Sequence, residues 1–290
     1  MRILLTNDDG INAPGLKVLE AIARTISDDI WIVAPAEENS GAGHSLTLTK
    51  PVRIRQHGDK HYSVAGTPTD SVMLGIGVIM KDMKPDLILS GVNRGANLGD
   101  DITYSGTVSA AMEGALAGIR SIALSQVYSK EGMADSVPFS AAEAWGERVL
   151  RPLLDMPYTP RTLININFPP LLPQDVKGIK VARQGFHDYS RGSIVKGTDP
   201  RGYDYYWFGL HGIEHSLGHD SDLEAIDDNY ISVTPLQLDL THAEAAEVLD
   251  WPGLMASDAF GRLKMVQHIS GPTTSLDTLR GPLRIDGAAL

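Results

Sequence analysis

Cysteine is absent from the 290 residues. That excludes a disulfide framework, a thiolate nucleophile and any zinc site built on sulfur. No stretch approaches the about 20 consecutive apolar residues that a membrane-spanning helix needs. Positive charge is in the minority, with 25 Lys and Arg against 36 Asp and Glu and a formal net charge of −11. A balance of that sign opposes phosphate backbones and anionic lipid unless a local basic patch intervenes, so neither nucleic acid nor a membrane is an expected partner. The opening Met1-Arg2-Ile3-Leu4-Leu5 runs directly into a strand pattern and lacks the charged start and long apolar stretch of a signal peptide, which makes the cytoplasm the expected compartment. Two catalytic signatures are missing as well: no G-x-x-x-x-G-K-[ST] phosphate loop and no G-x-S-x-G nucleophile elbow occur.

What is present is an alternation of short apolar runs with amphipathic ones. Strands are predicted at residues 2–6, 30–34, 45–56, 62–65, 87–90, 121–125 and 163–168, and helices at 16–26, 70–80, 107–117 and 139–154. This order predicts an α/β fold: a Rossmann-like, mostly parallel sheet with helices on both faces. The expected core is residues 1–169. Residues 170–250 read as a smaller β-rich region that completes the fold and supplies oligomer contacts, with strands at 178–183, 203–208 and 230–235 and a helix at 241–249. Residues 251–290 read as a C-terminal extension, flexible or docked on a partner chain.

In an open parallel sheet, ligands bind beyond the carboxyl ends of the strands, and four segments there are unusually polar. Thr6-Asn7-Asp8-Asp9-Gly10 follows the first strand. Adjacent carboxylates repel unless a cation or a proton sits with them, although the same residues also suit a turn, or a cap for the helix that follows. Glu38-Asn39-Ser40-Gly41-Ala42-Gly43-His44-Ser45 offers hydroxyls and backbone N–H groups; with Leu46 where a third glycine belongs, it is not a dinucleotide fingerprint. Ser90-Gly91-Val92-Asn93-Arg94-Gly95-Ala96-Asn97 has the glycines for close approach to a ligand. Tyr104-Ser105-Gly106-Thr107 opens a helix whose free N–H groups and dipole suit an anion. Carboxylate, amide and hydroxyl oxygens together suit Mg²⁺ or Mn²⁺. A divalent cation beside a phosphate cradle is the constellation for phosphoryl chemistry.

Two other features carry less. His211-x-x-Glu214-His215, with His219 beyond it, has zinc-peptidase spacing, but Gly209, Gly212 and Gly218 oppose the continuous helix such a site requires. Tyr203-Asp204-Tyr205-Tyr206-Trp207-Phe208 reads as a packed strand with half its rings turned inward, in preference to a base-stacking platform.

The polar loops, taken in order, resemble the SurE family, the stationary-phase survival proteins that act as metal-dependent nucleotidases. The matching stretches are Ile3 to Gly10, Ser40-Gly41 with His44 to Thr47, Gly66 to Asp70, Ser90 to Asn93 continuing through Glu113-Gly114, Tyr205 to Trp207, and Tyr230 to Leu236. The resemblance implies that Asp8, Asp9, Ser40 and Asn93 ligate one divalent cation per subunit, Mg²⁺ or Mn²⁺ and in some settings Co²⁺. It implies that Asn97, Ser105, Gly106 and Thr107 face the phosphate, with Asp8, Asp9, Asn97 and Ser105 the catalytic group. The implied activity is hydrolysis of nucleoside 5′- and 3′-monophosphates, in some members also of polyphosphate, by a water activated at the ion and attacking in line. Asp8 and Asp9 are both candidates to take its proton, and His44 is a candidate leaving-group acid. A nucleotide-sensing protein without turnover is the alternative. The implied assembly is a homodimer or homotetramer with an exchanged C-terminal segment. The chain departs from the family pattern at Ala36-Glu37-Glu38-Asn39, where basic or polar residues are usual, at Ser71 in place of a common Cys, and at Asn229 in place of Gly.

Overall fold

Alternation at period two builds the centre of the sheet. In strand β1 (Arg2–Thr6) Ile3 and Leu5 join one buried cluster and Leu4 the other, and in β5 (Leu87–Arg94) Leu87 and Leu89 part from Ile88 in the same way. Both faces are therefore apolar, and each must be covered. Helices α1 (Pro14–Arg24) and α4 (Ser140–Asp155) cover the first face through Leu16, Leu19, Val149 and Leu150. Helices α2 (Pro68–Leu74) and α3 (Gly106–Leu116) cover the second through Val72, Val108, Ala110 and Ala111.

The computed structural model describes residues 1–128, 139–187, 192–210, 218 and 220–248. They fall into two units, Met1–Leu238 and Asp239–Leu290. The first unit holds a nine-stranded sheet. With β2 (Asp29–Pro35), β3 (Ile54–Gly58), β4 (His61–Val64), β6 (Arg120–Gln126), β7 (Thr162–Phe168), β8 (Gly178–Val181) and β11 (Tyr230–Gln237), its order is β3-β4-β2-β1-β5-β6-β7-β11-β8. All neighbours are parallel except β3 with β4 and β7 with β11. The chain leaves β1 toward β2 on one side and returns to β5 on the other, so the order reverses at β1 and β5. Ligands bind at that reversal in open α/β sheets.

The α/β class and the mostly parallel sheet agree with the sequence pattern, while several details differ. Of residues 45–56, only the end enters a strand. The Thr47 N–H goes instead to Asp70 Oδ1 at 3.0 Å, and the Ser45 carbonyl accepts from the Thr67 hydroxyl at 2.8 Å. Side-chain bonds thus replace a ladder that the β-branched composition favours. The helix expected over 70–80 is α2 followed by a π-helical turn, Gly75–Ile79. Within 170–250, β8 and β11 extend the main sheet, whereas β9 (Gly192–Thr198) and β10 (Asp204–Leu210) pair only with each other among the described strands. The rings of β10 are not half-buried as expected: Trp207 is 67% and Phe208 81% exposed, with Tyr205 and Tyr206 exposed as well. Helix α5 (Asp222–Asp227) was not anticipated, although Ser221 and Glu224 form a capping box that its S-x-x-E spacing announces. Asn229 adopts φ 70°, the backbone for which asparagine is a workable substitute for glycine.

In the second unit, α6 (Ala243–Val248) opens with the His242 ring accepting the Ala245 N–H at 3.0 Å. The 211–215 motif and the 251–290 extension lie outside the described residues.

Helices approach the sheet closely where they carry glycine. A Cβ on Gly15 would stand 1.9 Å from the Val92 carbonyl oxygen, a backbone atom with no room to retreat. Gly15→Ala is expected to lower stability by about 1–3 kcal/mol, read as a fall in urea midpoint. Gly77→Ala, where nothing lies within 4 Å, should leave the midpoint nearly unchanged.

Candidate functional site

The carboxyl end of β1 carries Asn7, Asp8 and Asp9 into the reversal between β1 and β5. The turn closes on itself through Asn7 Nδ2 donating to the Gly10 carbonyl at 2.9 Å. Neither aspartate caps α1, whose N-cap is Ala13 without a side-chain bond. Asp8 instead meets the start of α3. Its Oδ1 accepts the Thr107 hydroxyl, and a Cβ on Gly106 would come within 2.7 Å of the Asp8 Cβ. Glycine at 106 is what lets this carboxylate lie against the helix. Burial, the largest influence, pushes the Asp8 carboxyl up to about 6, with bonding from Thr107 pulling it down and the Asp9 charge pushing it up.

Asp9 is also raised by burial, opposed by the Arg94 backbone N–H, which donates to Oδ2 at 3.1 Å. The Arg94 guanidinium reaches Glu38 at 3.5 Å, and the Ser40 hydroxyl donates to the same Glu38 oxygen at 2.9 Å. Asn39 N–H donates to the Asp8 carbonyl at 2.8 Å, which holds the 36–40 loop on the aspartate turn. Asn93 Nδ2 donates to the Gly95 carbonyl at 3.1 Å. The fold thus places Asp8, Asp9, Ser40 and Asn93 on neighbouring turns at one edge.

The donors suit a hard cation. The Asp8 and Asp9 carboxylates keep acceptor capacity beyond the bonds from Thr107 and Arg94, the Ser40 proton is already given to Glu38, and the Asn93 amide nitrogen is turned to Gly95. Two carboxylate oxygens, a hydroxyl lone pair and an amide oxygen remain, a set that matches Mg²⁺ or Mn²⁺. No cluster of three or more His, Asp or Glu side chains able to hold an ion occurs among the described residues, so the neutral oxygens would have to complete the shell.

The phosphate-side residues divide. Ser105 is the N-cap of α3, its Oγ accepting the Val108 N–H at 3.0 Å. The Thr107 hydroxyl is turned to Asp8. Asn97 is buried with its amide donating to Ser125 Oγ at 2.8 Å, and its carbonyl accepts from both Asn165 and Asn167. His44 pairs with Glu113 of α3 at 2.6 Å, which fastens the second loop to that helix.

Comparison with known proteins decides the family. The model of the survival protein SurE matches residues 3–191. The chain belongs to the SurE family. A 5′-nucleotidase SurE of Erythrobacter litoralis is 68% identical over 249 residues, covering 86% of this chain and 98% of that protein. One from Rhizorhabdus wittichii is 63% identical over 245 residues, covering 84% and 96%. A crystal structure of the SurE protein of Aquifex aeolicus superposes with a TM-score of 0.73 at 39% identity, covering 87% of this chain and 99% of that one. The Erythrobacter SurE is almost wholly matched while part of this chain has no counterpart in it.

Several residues that shape this SurE site have no local sequence signal. Asp222, at the first turn of α5, accepts the N–H groups of Gly99 at 2.9 Å and Gly185 at 2.8 Å and so anchors the segment leading to Ser105. The Asn165–Asn167 pair on β7 reads as ordinary alternation until the strand lies beside Asn97. Glu38 as the shared partner of Ser40 and Arg94 is equally invisible in one dimension.

The raised Asp8 pKa makes a stability prediction. Ionising Asp8 is harder folded than unfolded, so in chelator its contribution is best at low pH and is lost as pH rises from 3.8 toward about 6. Asp8→Asn should flatten that part of the melting-temperature profile relative to the parent chain. Added Mn²⁺ should raise the melting temperature of the parent at pH 7.5 and not that of the variant.

Proposed function

We infer that this chain is a 5′-nucleotidase, a phosphoric monoester hydrolase that releases nucleoside and phosphate. We propose further that it requires one divalent cation, Mg²⁺ or Mn²⁺ with Co²⁺ as a substitute, and that it accepts 3′-monophosphates as well. Short polyphosphate is proposed as a weaker substrate. The observation that carries this reading is the buried Asp8 carboxyl, raised to about 6, with the half-buried Asp9 beside it and the start of α3 closing it in. Ionised together, such a pair is stabilised by a counter-cation, and such a helix start suits an anion.

In the proposed arrangement Asp8, Asp9, Ser40 and Asn93 hold the ion. When bound, it supplies Lewis acidity and charge neutralisation toward the phosphoryl oxygens. The Thr107 hydroxyl keeps the Asp8 carboxylate in one orientation. Ser105 accepts from Val108 and keeps its own proton for a phosphoryl oxygen, and the N-terminal dipole of α3 adds fixed positive potential there. Asn97 is proposed to position this segment, through its bonds to Ser125, Asn165 and Asn167, as well as to face the phosphate. Asp8 or Asp9 takes the proton of the attacking water. A sensing protein without turnover would bind nucleotide and leave it whole.

Phosphate release from AMP with Mn²⁺ separates the two. The parent chain should release phosphate and chelator should stop it. Asp8→Asn should reduce kcat by about 100-fold or more. A fully active Asp8→Asn variant would refute the ligand assignment.

A cytoplasmic, homo-oligomeric enzyme is proposed with this activity. No helix among the described residues is long and apolar enough to cross a membrane. A two-stranded ribbon is marginal by itself, and β9–β10 exposes Ile194, Val195, Tyr206, Trp207 and Phe208. A second copy of the chain is its proposed cover, giving a dimer or tetramer in which the C-terminal segment is exchanged. The double substitution Trp207→Lys with Phe208→Lys should move the protein to monomer in sedimentation velocity.

A further inference from the structure

A cavity of about 310 Å³ lies beside the 36–39 loop, walled by Glu37, Glu38 and Asn39, by Lys50, and by Gly66 and Thr67. Two contacts join it to the reaction site. Asn39, on one wall, donates to the Asp8 carbonyl at 2.8 Å, so that wall continues into the carboxylate pair. Thr67, on the other, precedes Pro68, whose Cγ lies 3.0 Å from where a Cβ on Gly106 would stand, so that wall abuts the start of α3. A phosphate monoester seated between the aspartates and α3 has this cavity at its side, within reach of a leaving group as long as a nucleoside and beyond the reach that a single small ring requires.

We propose that the cavity receives the nucleoside, with Glu37 accepting from the ribose hydroxyls and Lys50 donating to the base. The proposal rests on the nucleotidase reading and names the subsite for the half of the substrate that is not phosphate. The volume is at the lower end of small-ligand sites, about 300–1,000 Å³. The chemistry fits a sugar: an ionised carboxylate is acceptor-only, and acidic side chains take ribose hydroxyls in dinucleotide sites for that reason. Among the described residues the Glu37 and Lys50 side chains have no ion-pair or hydrogen-bond partner, which leaves both able to meet a ligand. The acidic wall also opposes a second phosphate, which favours a monoester of a neutral alcohol over polyphosphate.

The test compares AMP, 2′,3′-dideoxy-AMP and p-nitrophenyl phosphate as substrates with Mn²⁺. Ala65 lines the same cavity and is exposed, so Ala65→Trp fills it. This variant should lose about tenfold or more in kcat/KM for AMP, mainly through KM, and stay within about twofold on p-nitrophenyl phosphate. Glu37→Gln should reduce the preference for AMP over the dideoxy analogue by about fivefold, with p-nitrophenyl phosphate again unmoved. Unchanged AMP kinetics in both variants, or an equal fall on AMP and p-nitrophenyl phosphate, would overturn the assignment of the cavity alone. If the parent chain released phosphate from none of the three substrates, the nucleotidase reading would fail and this inference with it.

Discussion

Asp8 ends β1 and is closed in by the first turn of α3, bonded by Thr107 and filling the space that a side chain at 106 would occupy. This contact joins residues 99 positions apart and fixes the aspartate turn against the helix start. It also sets the electrostatics of the edge. A carboxylate kept from water resists ionisation, and a second one beside it makes matters worse, so the folded chain is prepared for a positive charge. The Arg94 guanidinium reaches Glu38, while its backbone N–H serves Asp9.

Around that joint, polar side chains from distant parts of the chain immobilise the loops. Asn165 and Asn167 hold Asn97, Asp222 holds Gly99, and Glu113 holds His44. The bonds to Asn97 and Gly99 are buried, where a polar group without a partner would cost about 1–3 kcal/mol, and that of His44 is exposed. Each buried bond is therefore a strong constraint on position. Loops so tied can present amides and hydroxyls to a ligand without being reordered on binding, which is what electrostatic stabilisation of a transition state requires. The glycines serve the same end by close approach, Gly15 under Val92 and Gly106 beside Asp8.

Much of the architecture was legible in one dimension because both sheet faces are covered. Strands buried on two sides read as apolar runs, and the small residues of α3 announce a helix that lies close to the sheet. Legibility failed where side chains compete with the backbone. Residues 45–53 have strand composition, yet Ser45 and Thr47 bond to Thr67 and Asp70. It failed again at β10, where alternation implies an inside and an outside and both sets of rings are exposed.

The sequence by itself determined the α/β class, the order of the elements and the family, because period-two and helical patterns and contiguous motifs are local properties. It also marked Asp8, Asp9, Ser40, Asn93 and Ser105 through the polarity of loops that follow strands. Only the tertiary structure decided that the Thr107 hydroxyl serves Asp8, that the Asn97 amide serves Ser125, that Asp222 anchors the loop before Ser105, and that a cavity beside Glu37 adjoins the aspartate turn and the start of α3. Those are pairings between segments far apart in number, and nothing in either partner's neighbourhood encodes the other until the sheet has brought their loops to one edge.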